Sequence, residues 1–111
     1  MNLNVTSTNN AGCIVFHLQG KILTETDADK LKEAVSDLKS YNVIFALKEL
    51  THINSTGIAV FIKTMTKCRI KIGDLVICSP NKRIATLFEI TKMSDVFSMY
   101  DSEESAINYF K

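Results

Sequence analysis

The sequence predicts an α/β fold, in which one mixed β-sheet carries about four helices packed mainly on one of its faces. Two uninterrupted apolar runs, residues 43–47 and 75–78, are typical of strands buried in a parallel sheet. A stretch with the spacing of an amphipathic helix follows each run. Strands and helices that alternate in this way imply parallel pairing through right-handed crossovers. A length of 111 residues fits one domain, which we expect to span residues 1–111.

The first third of the chain predicts strands followed by a helix. Residues 3–8 alternate as a half-exposed strand does, 9–12 favour a hairpin turn, and 13–18 form a second strand. Ile22 and Leu23 can add a short third strand. A capping box, in which a hydroxyl precedes an acid by three residues, predicts a helix from Thr24. Its apolar face comprises Leu31, Ala34, Val35 and Leu38.

The second half of the chain predicts three more helices and a last strand. The first helix runs from about residue 55 to 68, before the apolar strand at 75–78. Ser79 and Pro80 predict the next helix start, because a capping residue precedes a proline at the first helical position. A strand is expected within 96–100, and a terminal helix is expected to begin in the segment 101–104.

Composition excludes several classes of function. The net charge of +1 gives no electrostatic reason to bind nucleic acid or an anionic membrane. No apolar run approaches the roughly 18 residues of a membrane span, and the N-terminus lacks the pattern of a signal peptide. Three cysteines without a C-x-x-C pair and two isolated histidines favour neither disulfides nor a metal site. We therefore expect a cytoplasmic protein without membrane insertion and without cofactors.

The sequence also lacks the common signatures of enzymes. It contains no G-x-S-x-G nucleophile elbow, and its glycines do not form a phosphate-binding loop. No histidine has an obvious role as a base beside a serine. We therefore expect no catalytic residues. The hypothesis that the protein is a small enzyme or a nucleotide binder is kept as the least favoured alternative.

The chain is organised around residues 52–58, which read His-Ile-Asn-Ser-Thr-Gly-Ile. An apolar strand precedes this segment and a helix follows it, so that two hydroxyls, Ser55 and Thr56, lie where the helix begins. The simplest interpretation is that they only cap the helix. The sharper hypothesis is a phosphorylation switch, because the amides and the dipole of a helix N-terminus can accommodate a phosphate.

In order and spacing, these segments resemble STAS domains of the anti-sigma factor antagonist class. Residues 54–59, Asn-Ser-Thr-Gly-Ile-Ala, correspond to the family motif Asp-Ser-Ser/Thr-Gly-Leu/Ile-Gly and match it at the four central positions. Residues 79–81, followed by Ile84, Leu87 and Phe88, are similar to a downstream family segment, and residues 101–106 resemble the usual S-x-E-E-A ending. Gly20 matches a glycine that is common after the second strand. The resemblance covers nearly the whole chain and implies a STAS-like single domain.

The resemblance implies a partner switch that regulates transcription. The unmodified protein would bind an anti-sigma factor, which is also a serine kinase of the histidine-kinase-like ATPase fold. That kinase would phosphorylate Ser55, with Thr56 as the alternative acceptor, and a PP2C-type phosphatase would restore the hydroxyl. Gly57, which lacks a side chain, would let the partner's backbone approach. The expected partner-binding residues are Ile53, Asn54, Ser55, Thr56, Gly57, Ile58 and Lys63.

Three positions depart from the family pattern. Asn54 replaces the aspartate before the serine, Ala46 replaces an Asp or Asn in the strand, and Ala59 replaces the second glycine. Asn caps a helix about as well as Asp, but it carries no charge beside the acceptor. Asn54 and Ala46 favour an alternative, a STAS interaction module without a phospho-switch. Such a module would be a constitutive antagonist or a scaffold in another signalling or transport complex.

Overall fold

A computed structural model describes residues 2–10 and 12–111 of the protein, and within them it has six strands and four α-helices. The strands are β1 (Leu3–Asn10), β2 (Cys13–Ile22), β3 (Asn42–Ala46), β4 (Leu50–Ile53), β5 (Asp74–Cys78) and β6 (Ser98–Tyr100). The α-helices are α1 (Glu25–Ala34), α2 (Ser55–Ile70), α3 (Lys82–Ile90) and α4 (Glu103–Tyr109). A short 3₁₀ helix, Met93–Asp95, lies between α3 and β6.

The six strands form one mixed sheet, as the sequence predicts. Along the sheet the order is β1-β2-β3-β5-β6. The β1–β2 pair is antiparallel and every other pair is parallel. The long strand β2 pairs with two strands in succession: Ile14–His17 pairs with β3, and Gly20–Ile22 pairs with β4. The register shifts between Gly20 and Lys21, where the backbone of Gly20 has a φ of +110° that other residues rarely adopt.

Helices cover the two faces of the sheet unequally, which confirms that they pack mainly on one face. Residues of α1, α2 and α3 form the larger core together with alternate strand residues such as Val43 and Phe45. The intervening residues Ile44 and Ala46 point to the opposite face, where α4 covers a smaller core. That smaller core consists of Cys13, Val15, Ile44, Ala46, Val76, Cys78 and Ala106.

The central part of the larger core is aromatic. Phe61, on the inner side of α2, is fully buried. Its ring centroid lies 4.8 Å from that of Phe45, 6.4 Å from that of Phe88 and 6.2 Å from that of Phe97, in edge-to-face geometry. Aromatic pairs prefer such arrangements over stacking face to face. These contacts fix α2 against the sheet, and with it the turn at its N-terminus.

The structure corrects two strand predictions. Residues 22 and 23 do not form a separate third strand, because β2 continues through Gly20 to Ile22. Strand β4, which includes His52, is not among the predicted strands. The predicted hairpin turn includes Ala11, which lies outside the described residues. Asn9 and Asn10 are the last residues of β1.

Two helix boundaries also differ from the prediction. Helix α1 ends at Ala34 instead of near Leu38, although Leu38 is still buried. Helix α3 begins at Lys82 instead of Pro80, because Asn81 is its N-cap. The Asn81 side chain accepts a hydrogen bond from the Ile84 amide at 2.8 Å and donates one to the Leu50 carbonyl at 3.0 Å. The contact with β4 selects this cap over Ser79.

The predicted capping box of α1 is present. The Thr24 hydroxyl accepts a hydrogen bond from the Asp27 amide at 3.1 Å, and the Thr24 amide donates to the Asp27 carboxylate at 3.2 Å. Asp27 is only 3% exposed, and the Leu23 amide also donates to it at 3.0 Å. The hydrogen bond from Leu23 is the main reason why the pKa of Asp27 lies below its usual range.

We expect Asp27→Asn to lower the free energy of unfolding at neutral pH but not at strongly acidic pH. Because the folded state lowers the pKa of Asp27, the ionised carboxylate stabilises the fold above the unfolded-state pKa of about 3.9. This contribution is lost as the pH falls through the lower folded-state pKa. Urea titrations at several pH values from neutral to acidic measure the difference in the free energy of unfolding between wild type and variant.

The matched control for this prediction is Asp29→Asn on the same helix. Asp29 is exposed and pairs with Lys32 at 3.5 Å, and an exposed pair of this kind contributes little. Its stability should follow that of the wild type at every pH. A stability gap for Asp27→Asn that did not change with pH would contradict the assigned role of the carboxylate.

Candidate functional site

The segment 52–58 forms the junction between β4 and α2. Strand β4 ends at Ile53, Asn54 is the N-cap residue, and Ser55 is the first residue of the helix. The Asn54 backbone is extended, with φ −124° and ψ −171°, and its carbonyl accepts a hydrogen bond from the Ile58 amide at 3.0 Å. The predicted helix start and the capping role of Asn54 are confirmed, whereas the interpretation that Ser55 and Thr56 cap the helix is wrong, because Asn54 provides the side-chain cap.

Asn54 makes hydrogen bonds in two directions. Its side-chain oxygen accepts a hydrogen bond from the Thr56 amide at 3.1 Å, which caps α2. Its side-chain nitrogen donates to the Leu23 carbonyl at 3.0 Å, and its backbone amide donates to the Ile22 carbonyl at 3.3 Å. An aspartate could replace the first bond but not the second, since a carboxylate has no hydrogen to donate. The amide therefore ties the helix start to the end of β2.

The capping role of Asn54 is predictable from the sequence, but its hydrogen bond to the Leu23 carbonyl is not. The two residues lie 31 positions apart, and their contact uses the backbone carbonyl of Leu23. No side-chain pattern can indicate a contact to a carbonyl, because every residue has one.

The two hydroxyls of the junction differ in exposure. Ser55 is exposed, whereas Thr56 is half-buried. Since Asn54 makes the side-chain cap of α2, the Ser55 hydroxyl stays outside that cap. The first turn of α2 contains no acidic residue, so a negative charge added at Ser55 would meet the positive end of the helix dipole without an acidic neighbour on that turn.

Three of the expected partner-binding residues lie in the protein interior. Gly57 is buried, and Ile53 and Ile58 are 6% and 9% exposed. A Cβ atom on Gly57 would lie 2.7 Å from Cγ1 of Ile53 and 2.8 Å from Cγ2 of Ile22. The glycine thus lets α2 approach these two side chains of its own chain. Contact of these three residues with a partner stays a prediction.

Lys63 lies on the exposed face of α2, two turns after Ser55. The exposed positions of α2 are Ser55, Ala59, Lys63, Thr66, Arg69 and Ile70, and most of them recur every three or four residues, as expected for one helix face. Lys63 also borders a shallow groove of about 260 Å³ between α1 and α2, together with Lys32 and Lys67. Lys67 donates a hydrogen bond to the Val35 carbonyl at 3.3 Å, which satisfies the C-terminus of α1.

The cysteines form no reactive site. All three are buried and unpaired, and burial raises the pKa of Cys68 and Cys78 to about 11. At neutral pH these two thiols therefore remain protonated and weakly nucleophilic. Among the described residues, no three His, Cys, Asp or Glu side chains come together as metal ligands would.

A larger cleft, of about 870 Å³, lies on the face of the sheet that α4 only partly covers. Its lining includes Lys48 and three acidic residues, Glu49, Asp101 and Glu103, together with His17. His17 Nδ1 lies 3.8 Å from a carboxylate oxygen of Glu103. None of the residues that line the cleft belongs to 52–58. Size alone therefore does not make the cleft the functional site.

The order of the elements and the residues of the β4–α2 junction agree with one known domain family. The sequence profile of the STAS domain matches residues 4–106 of the chain. The chain belongs to the STAS domain family. The predicted family is thereby confirmed, and with it the predicted single domain of a mixed sheet and four helices.

Several proteins similar to this STAS domain bear related names. The anti-sigma-B factor antagonist of Bacillus subtilis is 27% identical over 109 residues, which cover 96% of this chain and 99% of that protein. An anti-sigma factor antagonist from Mycobacterium paratuberculosis has the same fold, with a TM-score of 0.80 at 17% identity over 96% of this chain and 92% of that one. The phosphorylated form of the Bacillus cell fate determinant SpoIIAA superposes with a TM-score of 0.73 at 16% identity, covering 98% and 99% of the two chains.

The structure also bears on membrane association. No α-helix in residues 2–10 and 12–111 is both long and apolar enough to cross a bilayer.

Proposed function

We propose that residues 1–111 constitute one STAS domain that acts as an anti-sigma factor antagonist in the cytoplasm and catalyses no reaction itself. The observation that carries this proposal is the exposed Ser55 hydroxyl at the first position of α2, outside the cap made by Asn54. The names of the related proteins support the same function. The partner is an anti-sigma factor that is also a serine kinase of the histidine-kinase-like ATPase fold.

The switch consists of one phosphoryl transfer from ATP and a later hydrolysis that releases inorganic phosphate. In the kinase, the Ser55 oxygen bonds to the γ-phosphorus of ATP while the bond from that phosphorus to the β–γ bridging oxygen breaks. ADP leaves with the bridging oxygen, and the hydroxyl proton passes to a base of the kinase. A PP2C-type phosphatase later hydrolyses the ester and returns the hydroxyl. Ser55 is well placed for this, because an acceptor must reach a partner's active site and the side chain is exposed.

A phosphate on Ser55 is expected to change the binding surface without unfolding the domain. It would add a charge of about −1.5 to −2 at a helix N-terminus, where negative charge is favourable. The aromatic core behind α2 and the bonds of Asn54 hold the turn in place. The cost therefore falls on the complex, because a partner that covers Ser55 must desolvate the phosphate or move away.

A second candidate function is a STAS module without the switch. It is favoured by Asn54, whose amide makes the bond to Leu23 that an aspartate could not make. In this alternative the residue before Ser55 is selected for structure, and the protein binds its partner constitutively.

The test incubates the protein with ATP, Mg²⁺ and, one at a time, the anti-sigma factors of the histidine-kinase-like ATPase fold from its source organism. We expect one of them to add a single phosphate, detected by intact mass and mapped to Ser55. Ser55→Ala should remain unmodified, whereas Thr56→Ala should be modified. A PP2C-type phosphatase should restore the original mass.

Two results would overturn parts of the proposal. Binding of an anti-sigma factor without any modification would favour the constitutive module. A phosphate on Thr56, retained in Ser55→Ala, would move the switch to the half-buried hydroxyl.

A further inference from the structure

An apolar groove lies between helix α3 and strand β4. Its volume is about 350 Å³. Five apolar side chains and three polar or charged ones line it: Leu23, Ile53, Ile84, Leu87 and Ile90, and His52, Arg83 and Thr86. We call it the α3 groove.

Two residues of the α3 groove are unusually exposed for their type. Leu23 is 40% exposed and Ile90 is 73% exposed. Single exposed apolar side chains are common on protein surfaces, but binding sites are typically concave and mostly apolar, as this groove is. Burying Ile90 and Leu23 in a complex would remove apolar area from water and stabilise that complex.

The α3 groove continues directly into the Ser55 turn. Ile53 lines the groove and is separated from Ser55 only by Asn54. The Asn54 side chain donates its hydrogen bond to the Leu23 carbonyl, so Leu23 lies against the cap of α2. A protein that covers Ser55 and extends towards α3 would therefore cover the groove as well.

The charge of the α3 groove indicates the chemistry of its partner. No carboxylate lines it, and Arg83 makes no ion pair with any of the residues that the structure describes. A guanidinium of this kind can form a bidentate pair with a carboxylate from another protein. The groove thus complements an apolar side chain that has an acidic neighbour.

We propose that the α3 groove is the second half of the surface that binds the anti-sigma factor. It takes an apolar side chain of that partner, flanked by a carboxylate that pairs with Arg83. This inference rests on the proposed function. It adds that affinity depends on Leu23, Leu87 and Ile90, which no phosphorylation motif includes, while Ser55 controls whether the complex persists.

The experiment compares two isoleucines that are equally exposed at helix ends, of which only Ile90 lines the α3 groove. Ile90 is the last residue of α3, Ile70 is the last residue of α2, and each is 73% exposed. A glutamate at either position meets the same unfavourable helix end. Ile70 lies 15 positions after Ser55 along α2, about 22 Å at 1.5 Å per residue, so Ile70 is far from the turn.

We expect Ile90→Glu to weaken binding of the unphosphorylated protein to its anti-sigma factor at least tenfold, measured by calorimetry. Ile70→Glu should bind within twofold of the wild type. Arg83→Gln should weaken binding severalfold and reduce its dependence on salt, because it removes one charge pair. Urea unfolding of each variant verifies that the fold is unchanged.

The possible failures are distinguishable. If Ile90→Glu binds as well as Ile70→Glu while Ser55→Asp loses affinity, the groove is not part of the surface and the proposed function stands. If light scattering shows a dimer that only Ile90→Glu dissociates, with anti-sigma factor binding unchanged, the occupant is a second copy of this chain and the inference is wrong. If the wild type binds no anti-sigma factor, the proposed function fails and the inference with it.

Discussion

Ser55→Asp is expected to weaken binding to the anti-sigma factor at least tenfold, whereas Ser55→Ala should bind as tightly as the wild type. A carboxylate on the exposed side chain would imitate the charge of the phosphate and would have to be desolvated in the complex. A tenfold loss corresponds to about 1.4 kcal/mol, which is small for a charge buried without a partner. Calorimetry with each variant measures the difference.

Measuring the free energy of unfolding distinguishes a loss of affinity caused by the added charge from one caused by unfolding. The first turn of α2 contains no acid, so Ser55→Asp should keep or raise the free energy of unfolding, by about 0.3–1 kcal/mol, through the helix dipole. Ser94→Asp is the matched control, because Ser94 is also exposed but lies in the 3₁₀ helix Met93–Asp95. Equal affinities of Ser55→Asp and wild type would refute a switch that operates through charge.

Phe61→Ala is expected to lower the free energy of unfolding by about 3–5 kcal/mol, the range for a large aromatic side chain removed from a core. Phe61 is fully buried and contacts three other phenylalanine rings, so the cavity would open where α2 meets the sheet. Domains of this size are stable by only about 5–15 kcal/mol. In urea, the midpoint should fall while the slope stays nearly constant.

Phe110→Ala serves as the comparison. Phe110 is half-buried and packs at the margin of the smaller core, so its removal should cost clearly less. Similar losses for the two variants would show that the aromatic cluster is not the main support of α2.

The sequence predicts the sheet and the helices because their signals are local. The apolar runs at 43–47 and 75–78 are too continuous for exposed strands, and both are central strands of the sheet. The capping residues Thr24 and Asn54 act on amides two or three positions away, so their function can be read from the sequence. The parallel pairing of the strands then follows from the alternation of strands and helices along the chain.

The incorrect predictions concern elements whose existence or boundaries depend on contacts between residues far apart in the sequence. Strand β4 has only four residues, and it is a strand because the far end of β2 bends at Gly20 and offers it backbone partners. The start of α3 is at Asn81 because its side chain reaches the Leu50 carbonyl, 31 residues away. Leu38 continues the apolar period of α1 and is buried, but the helix has already ended at Ala34.

The candidate site likewise has some features that the sequence predicts and others that it does not. The position of Ser55 at the start of a capped helix could be predicted, because strand, cap and helix adjoin in the sequence. The place of Gly57 against Ile22 and Ile53 could not, since it depends on how α2 packs on the sheet. The α3 groove was also missed, because its lining comes from three separate segments.

The division of the interior into two cores gives the cysteines different protection against chemical labelling. Cys13 and Cys78 belong to the smaller core, which α4, a helix of seven residues, covers from outside. Cys68 belongs to the larger core. Short peripheral helices open more often than whole domains unfold. Transient detachment of α4 therefore uncovers the first two thiols while Cys68 stays enclosed, and a thiol reagent can distinguish local opening at the C-terminus from global unfolding.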